Sequence, residues 1–270
     1  MEILSYLDEC LKQGRIIRWS EGCMPLTFYI APFRWYKSHN ESYSYYQLIH
    51  EALDLWQKAS NGKISFKIVN KIQESQINLD WKRVDRSSLG HCYFNFDTAG
   101  RLYSAEVQIG LSDGVIHQNY QNKCEVFHTI LHEIGHALGL GHSQHVNDIM
   151  YVPHQYGITT LSDKDKTTLK WLYSFSYGST SEEILTSYNV SGSGTLDNLI
   201  YTLENKQNKS NFQIAVEELS DIPHRDLIEE QAMLAEISKY NLSVQNINIS
   251  PELKQYINKS IIKKQIDDQT

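Results

Sequence analysis

Three histidines and one glutamate fall within eleven residues, in the run His132-Glu133-Ile134-Gly135-His136-Ala137-Leu138-Gly139-Leu140-Gly141-His142. Residues four apart project about 40° apart around a helix, so His132 and His136 leave one face a turn apart and can reach a single ion. Glu133 falls on the same side, placed beside a metal-activated water as a general base for hydrolysis must be. Gly139 supplies the turn that brings His142 round, because a residue without Cβ takes the left-handed conformation that ends a helix. Three protein ligands leave a fourth position open, which marks catalytic rather than structural zinc. A bare H-E-x-x-H arises easily by accident. Five fixed positions including Gly139 and His142 arise by chance in a chain of this length with odds on the order of 10⁻⁴, so the reading is one catalytic Zn²⁺ on His132, His136 and His142.

Several elements must position these groups. Asn122-Lys123-Cys124-Glu125 has the form of a helix cap with a reciprocal carboxylate, and Val126, Ile130, Ile134 and Leu138 give the ensuing helix a buried stripe. His128 lies one turn before His132, but a straight helix does not let it share the ion. Upstream, residues 24–30 read as a strand, 43–59 as a helix ended by Asn61-Gly62, and 64–69 and 76–81 as alternating strands. Strand, helix, strand favours parallel pairing. Residues 83–101 read as a long loop with a short extended piece near 92–96, followed by a strand at 103–110. Downstream, Leu161-Ser162-Asp163-Lys164-Asp165 caps a helix running to Leu172. Ile3, Leu7 and Leu11 predict a short amphipathic helix over 3–13. Residues 176–211, rich in Ser, Asn, Gly and Thr, read as a linker, with two helices beyond it near 226–240 and from 250.

The 270 residues accommodate one main core plus something smaller, and a net charge of −7 without a long basic run argues against a nucleic-acid partner. Cys10, Cys23, Cys92 and Cys124 show no C-x-x-C pairing, so reduced thiols are expected. The start lacks a charged n-region and an apolar h-region, and no stretch reaches transmembrane length. A cytoplasmic monomer is therefore expected, with non-classical export or a processed secreted form as alternatives.

With these residues in place the chain resembles the metzincin zinc metallopeptidases, and within them the matrixin branch, bacterial-type members included. The eleven-residue motif followed by a methionine turn is the metzincin signature, and here Met150 follows His142 by eight residues. Ser143 directly after the third histidine is similar to matrixins. The resemblance covers residues 19–175 and implies an α+β fold: a twisted mixed sheet of about five strands with an antiparallel edge strand, and three main helices. Segments 1–18, 176–211 and 212–270 then become a helical segment, a linker and a mostly helical or partly disordered extension that is open to a partner.

The resemblance also implies roles. Met150 forms an apolar base beneath the imidazoles, Asp165 hydrogen-bonds the methionine turn, and an extended polypeptide lies antiparallel to the edge strand. That strand is expected at 103–110, giving Ala105, Glu106 and Val107 as substrate-binding residues, with Val152, Pro153 and Tyr156 in the wall of the S1′ pocket. Three features depart from the pattern. Pro153 follows the methionine by three residues instead of two. No Pro-Arg-Cys-Gly latch is present. No tyrosine stands two after Met150, so neither Tyr151 nor Tyr156 takes a zinc-side role. The loop 83–101 lacks the His- and Asp-rich pattern that holds a structural Ca²⁺ or second Zn²⁺, and its Asp85, His91 and Asp97 read as surface residues, as do His145 and His154. The expected activity is that of a metalloendopeptidase. Its alternative is a catalytically silent zinc protein that grips a peptide or partner on the same scaffold, which the intact Glu133 disfavours.

Overall fold

Five strands form one sheet in the order β2-β1-β3-β5-β4. The structure, a computed structural model, describes residues 4–33, 39–83, 89–111, 123–190 and 194–206. β1 (Leu26–Ile30) alternates buried and half-buried positions, and α1 (His39–Ala59) places Ile49, Ala52, Leu53 and Trp56 in the core. Asn61 and Gly62, both at positive φ, end that helix as expected. β2 (Phe66–Val69) and β3 (Ile77–Arg83) flank β1 in parallel, as the strand–helix–strand order predicts. β3 then pairs in parallel with β5 (Leu102–Leu111).

The expected loop at 83–101 contains a full strand, β4 (Gly90–Phe96), antiparallel to β5. Its turn is built by Asp97, whose Oδ1 accepts from the amides of Ala99 and Arg101 while Gly100 sits at φ 85°. This corrects the edge assignment. The strand expected at the edge, 103–110, is hydrogen-bonded on both sides, and β4 is the antiparallel edge. Cys92, Phe94 and Phe96 are half-buried while His91, Tyr93 and Asn95 face outward, a two-residue alternation blurred in the sequence by the aromatic Tyr93 on the outer face.

α2 (Lys123–Ala137) packs on β4, β5 and α1, tied to α1 by Trp56 Nε1 donating to the Leu131 carbonyl at 3.1 Å. α3 (Asp163–Leu172) opens on a Ser162 capping box, as the sequence predicts. Two other expectations change. The helix foreseen over 3–13 is a single 3-10 turn, Leu7–Cys10, followed by a tight turn with Gln13 and Gly14 at positive φ. The amides of Tyr6 and Leu7 donate to side chains of distant elements, which a helix would not allow. The stretch read as a linker contains α4 (Ser181–Ser187) and a helix over 196–206, here α5. Ile184, Leu185, Leu196, Leu199 and Ile200 bury there, apolar anchors that the polar average of the segment masks. The helices expected near 226–240 and from 250, the extension 212–270, and Asp85 and Asn122 lie outside the described residues. Among the described residues no helix is long and apolar enough to cross a membrane.

Candidate metal centre

α2 presents His132 and His136 from adjacent turns, and their Nδ1 atoms lie 2.8 Å from the Ile149 carbonyl and 2.9 Å from the Leu140 carbonyl. A carbonyl only accepts, so Nδ1 carries the proton in each ring and Nε2 keeps the lone pair. Both Nε2 atoms converge. His136 Nε2 is 3.1 Å from that of His132 and 3.1 Å from that of His142. A tetrahedral ion with Zn–N distances of about 2.0–2.1 Å needs nitrogens about 3.4 Å apart, so these donors fit zinc with only a slight opening. Among the described residues these three form the one His/Cys/Asp/Glu group able to hold a metal. Burial, reinforced by neighbouring imidazoles, pushes His132 down to about 3, while burial takes His136 down to about 4. Both rings are therefore neutral at neutral pH, the form that a metal requires of a histidine.

The turn to His142 depends on Gly139, at φ 98°, where the Leu140 amide donates back to the Gly135 carbonyl at 3.0 Å. A Cβ at Gly139 would stand 2.5 Å from the Ile17 carbonyl oxygen, so glycine is required by conformation and by space alike. The chain returns through Ser143, whose amide donates to the Met150 carbonyl at 2.9 Å and whose hydroxyl bonds the Asp148 carboxylate. Met150 is fully buried, and its sulfur occupies the space a Cβ on Gly135 would fill. Asp165, also fully buried, accepts through Oδ2 from the amides of Ile149 and Ser162, both at 2.9 Å. Because the Ile149 carbonyl holds His132, this carboxylate supports that ring through one intervening residue.

Glu133 is 6 % exposed, and burial pushes its carboxyl up to about 8. It lies against the start of β4: a Cβ on Gly90 would come 2.6 Å from its Oε1. The edge strand thus begins beside Glu133, which directly follows His132 on α2. Ala105 and Val107 are buried within β5, and with Glu106 their strand is paired on both sides, so none of the three has backbone open to an extended peptide, and the edge on this side of the sheet is β4. Val152, Pro153 and Tyr156 are exposed on the loop after the methionine turn. That loop is fastened to α2, since Glu125 accepts from the Gly157 amide at 3.2 Å and bonds His154 Nε2 at 2.5 Å, while His128 Nδ1 donates to the Ile158 carbonyl at 2.8 Å.

His154 is thus no surface residue, its side chain being 16 % exposed and its ring 4.2 Å from that of His128. Sequence reasoning missed this Glu125–His154 tie, the Gly135–Met150 fit and the role of β4. A glycine inside a helix signals only the second of these.

A mixed sheet with an antiparallel edge, packed on a helix that carries two of three convergent histidines, defines a metalloprotease scaffold. The family model for matrixins, peptidase M10, matches residues 18–174, and the chain belongs to that family. It is 24 % identical over 176 residues to the "Putative matrix metalloproteinase" of Trichoplusia ni ascovirus 2c, a match covering 56 % of this chain and 35 % of that protein. With the "Probable matrix metalloproteinase 095L" of Invertebrate iridescent virus 3 it shares 29 % over 158 residues, covering 53 % and 41 %. The chain therefore spans less than half the length of either viral relative.

Proposed function

We propose that this protein is a zinc-dependent endopeptidase that cleaves peptide bonds within extended polypeptides. The observation that carries the reading is the convergence of three imidazole nitrogens, with the buried carboxylate of Glu133 directly after His132 on the same helix. Zinc held by His132, His136 and His142 would supply Lewis acidity, polarising a peptide carbonyl and lowering the pKa of water toward about 7. Glu133 takes the proton of the attacking water and delivers it to the amide nitrogen as the C–N bond breaks. Met150 and Asp165 hold the ligand rings from below.

The peptide docks along β4. Leu89 accepts from the Gly110 amide at 2.7 Å, so the pairs His91–Gln108 and Tyr93–Glu106 exchange the ladder hydrogen bonds, and the backbone groups of Cys92 and Phe94 point away from β5. An antiparallel peptide fits that edge through main-chain bonds. In this reading Val152, Pro153 and Tyr156, exposed on the loop after Met150, would contribute the pocket that selects a substrate side chain.

Glu133→Ala should bind zinc with wild-type stoichiometry and lose at least about 10²-fold in peptide cleavage, the range for a positioned general base. Cleavage profiling of a peptide library by wild type and variant, with and without a zinc chelator, tests this. Undiminished hydrolysis by the variant would refute the mechanism.

A further inference from the structure

Residues 4–17 and 180–206 lie outside the segment matched by the matrixin model, and in the structure they meet each other. Asp8 acts as the acceptor at the start of α5, taking the amides of Leu196 and Asp197 at 3.1 and 3.0 Å. Asp197 answers from the helix, its Oδ1 accepting from the Leu7 amide at 2.7 Å and the Ser5 hydroxyl at 2.5 Å. Leu7, Leu196 and Ile200 are fully buried at this junction.

The other side of the same N-terminal strap touches the turn that delivers His142. The Gly141 amide donates to Cys10 Sγ at 3.2 Å, and the Glu9 carbonyl packs so closely on Gly141 that no Cβ fits between them. The Ile17 carbonyl closes on Gly139 in the same manner, and Trp19 Nε1 donates to the Ala137 carbonyl at 2.8 Å. Residues 137–141, which link the helical ligands to the third one, are thus gripped from one side by 9–19. Tyr6 extends the grip to the methionine turn, its hydroxyl donating to Asp165 Oδ1 at 2.7 Å.

We infer that the strap and α5 form a brace that positions His142, so that metal affinity depends on residues remote from the ligand set. The inference rests on the reading of the three histidines as a metal site. Cys10 and Asp197 are positioning residues here. Cys10 is fully buried and burial pushes its thiol up to about 12, which leaves it an inert acceptor for the Gly141 amide. Asp197 is the clamp on the far side of the strap. Its Oδ1 is the acceptor for both the Leu7 amide and the Ser5 hydroxyl, so an asparagine here keeps that acceptor.

Zn²⁺ affinity of the full chain, read by competition with a chromogenic chelator, tests the brace. Cys10→Ala and Asp197→Ala should each weaken zinc about tenfold with His132, His136 and His142 intact, while Cys10→Ser and Asp197→Asn, which keep the acceptors, stay within about threefold. Thermal unfolding without metal is measured alongside. Lower midpoints with unchanged zinc affinity in both alanine variants would mean the strap serves packing only, and the inference fails. If Asp197→Ala does not fold, Ser5→Ala, which deletes one bond to Asp197, takes its place; it should weaken zinc measurably, and wild-type affinity would again overturn the brace. A wild-type chain that does not bind zinc overturns the metal reading itself, and is told apart from failure of the brace because no variant is needed to see it.

Discussion

At the residue scale, the side chains proposed to make the centre are those whose positions depend on a few neighbours in sequence. His132, Glu133 and His136 follow from helical spacing, and Gly139 from the need for positive φ, so all four are legible without a structure. Asp165 is legible from its place in a capping box, although its second task, holding the Ile149 amide, spans sixteen residues. Gly135 is different, because its meaning lies in what it touches. A Cβ there would meet the Met150 sulfur and come 3.1 Å from Trp56 Cζ2, both fully buried side chains with nowhere to go. Alanine gains about 1 kcal/mol of helix propensity over glycine, whereas overpacking a filled core costs about 1–3 kcal/mol. Overpacking wins: Gly135→Ala should lower the thermal unfolding midpoint by several degrees and weaken zinc by displacing Met150. A midpoint at or above wild type would show that Met150 moves aside freely.

At the element scale, α1, α2, α3 and the parallel strands were readable because each carries its own periodicity and stop signal. The position of β4 was not. Whether 90–96 or 102–111 forms the edge depends on which strand β3 pairs with, and alternation within a strand carries no information about its neighbours. The N-terminal turn failed for a related reason, since its stripe of Ile3, Leu7 and Leu11 suits a helix while its amides are claimed by Thr168 and Asp197, over 160 residues away. The corrected edge makes a prediction about substrate. In a β4-docked peptide, only alternate amides face the enzyme. Methylating each backbone nitrogen of a good substrate in turn should raise KM about two- to tenfold at every second position outside the scissile bond and leave the positions between nearly unaffected, each charge-free hydrogen bond being worth about 0.5–1.5 kcal/mol. A flat scan would remove β4 from substrate binding and leave the zinc chemistry untouched.

At the scale of the whole molecule, the fold closes on itself beyond the segment that matches the family. α4 and α5 look dispensable in sequence, lying in a stretch of linker-like composition, yet both are built into the first 208 residues, which form one compact unit. Ile16 and Ser179 join the strap to the entry of α4, and Glu204 on α5 takes Trp171 Nε1 and Lys170 Nζ, each at 2.7 Å, from α3. The two ends of the unit therefore support α3, and α3 through Asp165 supports the methionine turn. A chain cut after residue 178 loses the burial of five apolar side chains, Ile184, Leu185, Leu196, Leu199 and Ile200, each worth up to about 1.5–3 kcal/mol. It also exposes Leu7 and Trp171 where α5 covered them. That loss is comparable to the whole stability of an ordinary domain, about 5–15 kcal/mol. The cut after 178 should thus give a chain that is largely unfolded or unable to cleave peptides at 37 °C, whereas a cut after 208 should retain zinc binding and cleavage of short peptides. Circular dichroism melts and peptide assays on the two truncations decide it: equal activity would make α4 and α5 an appendage, and with them gone the strap would have to hold His142 without its clamp.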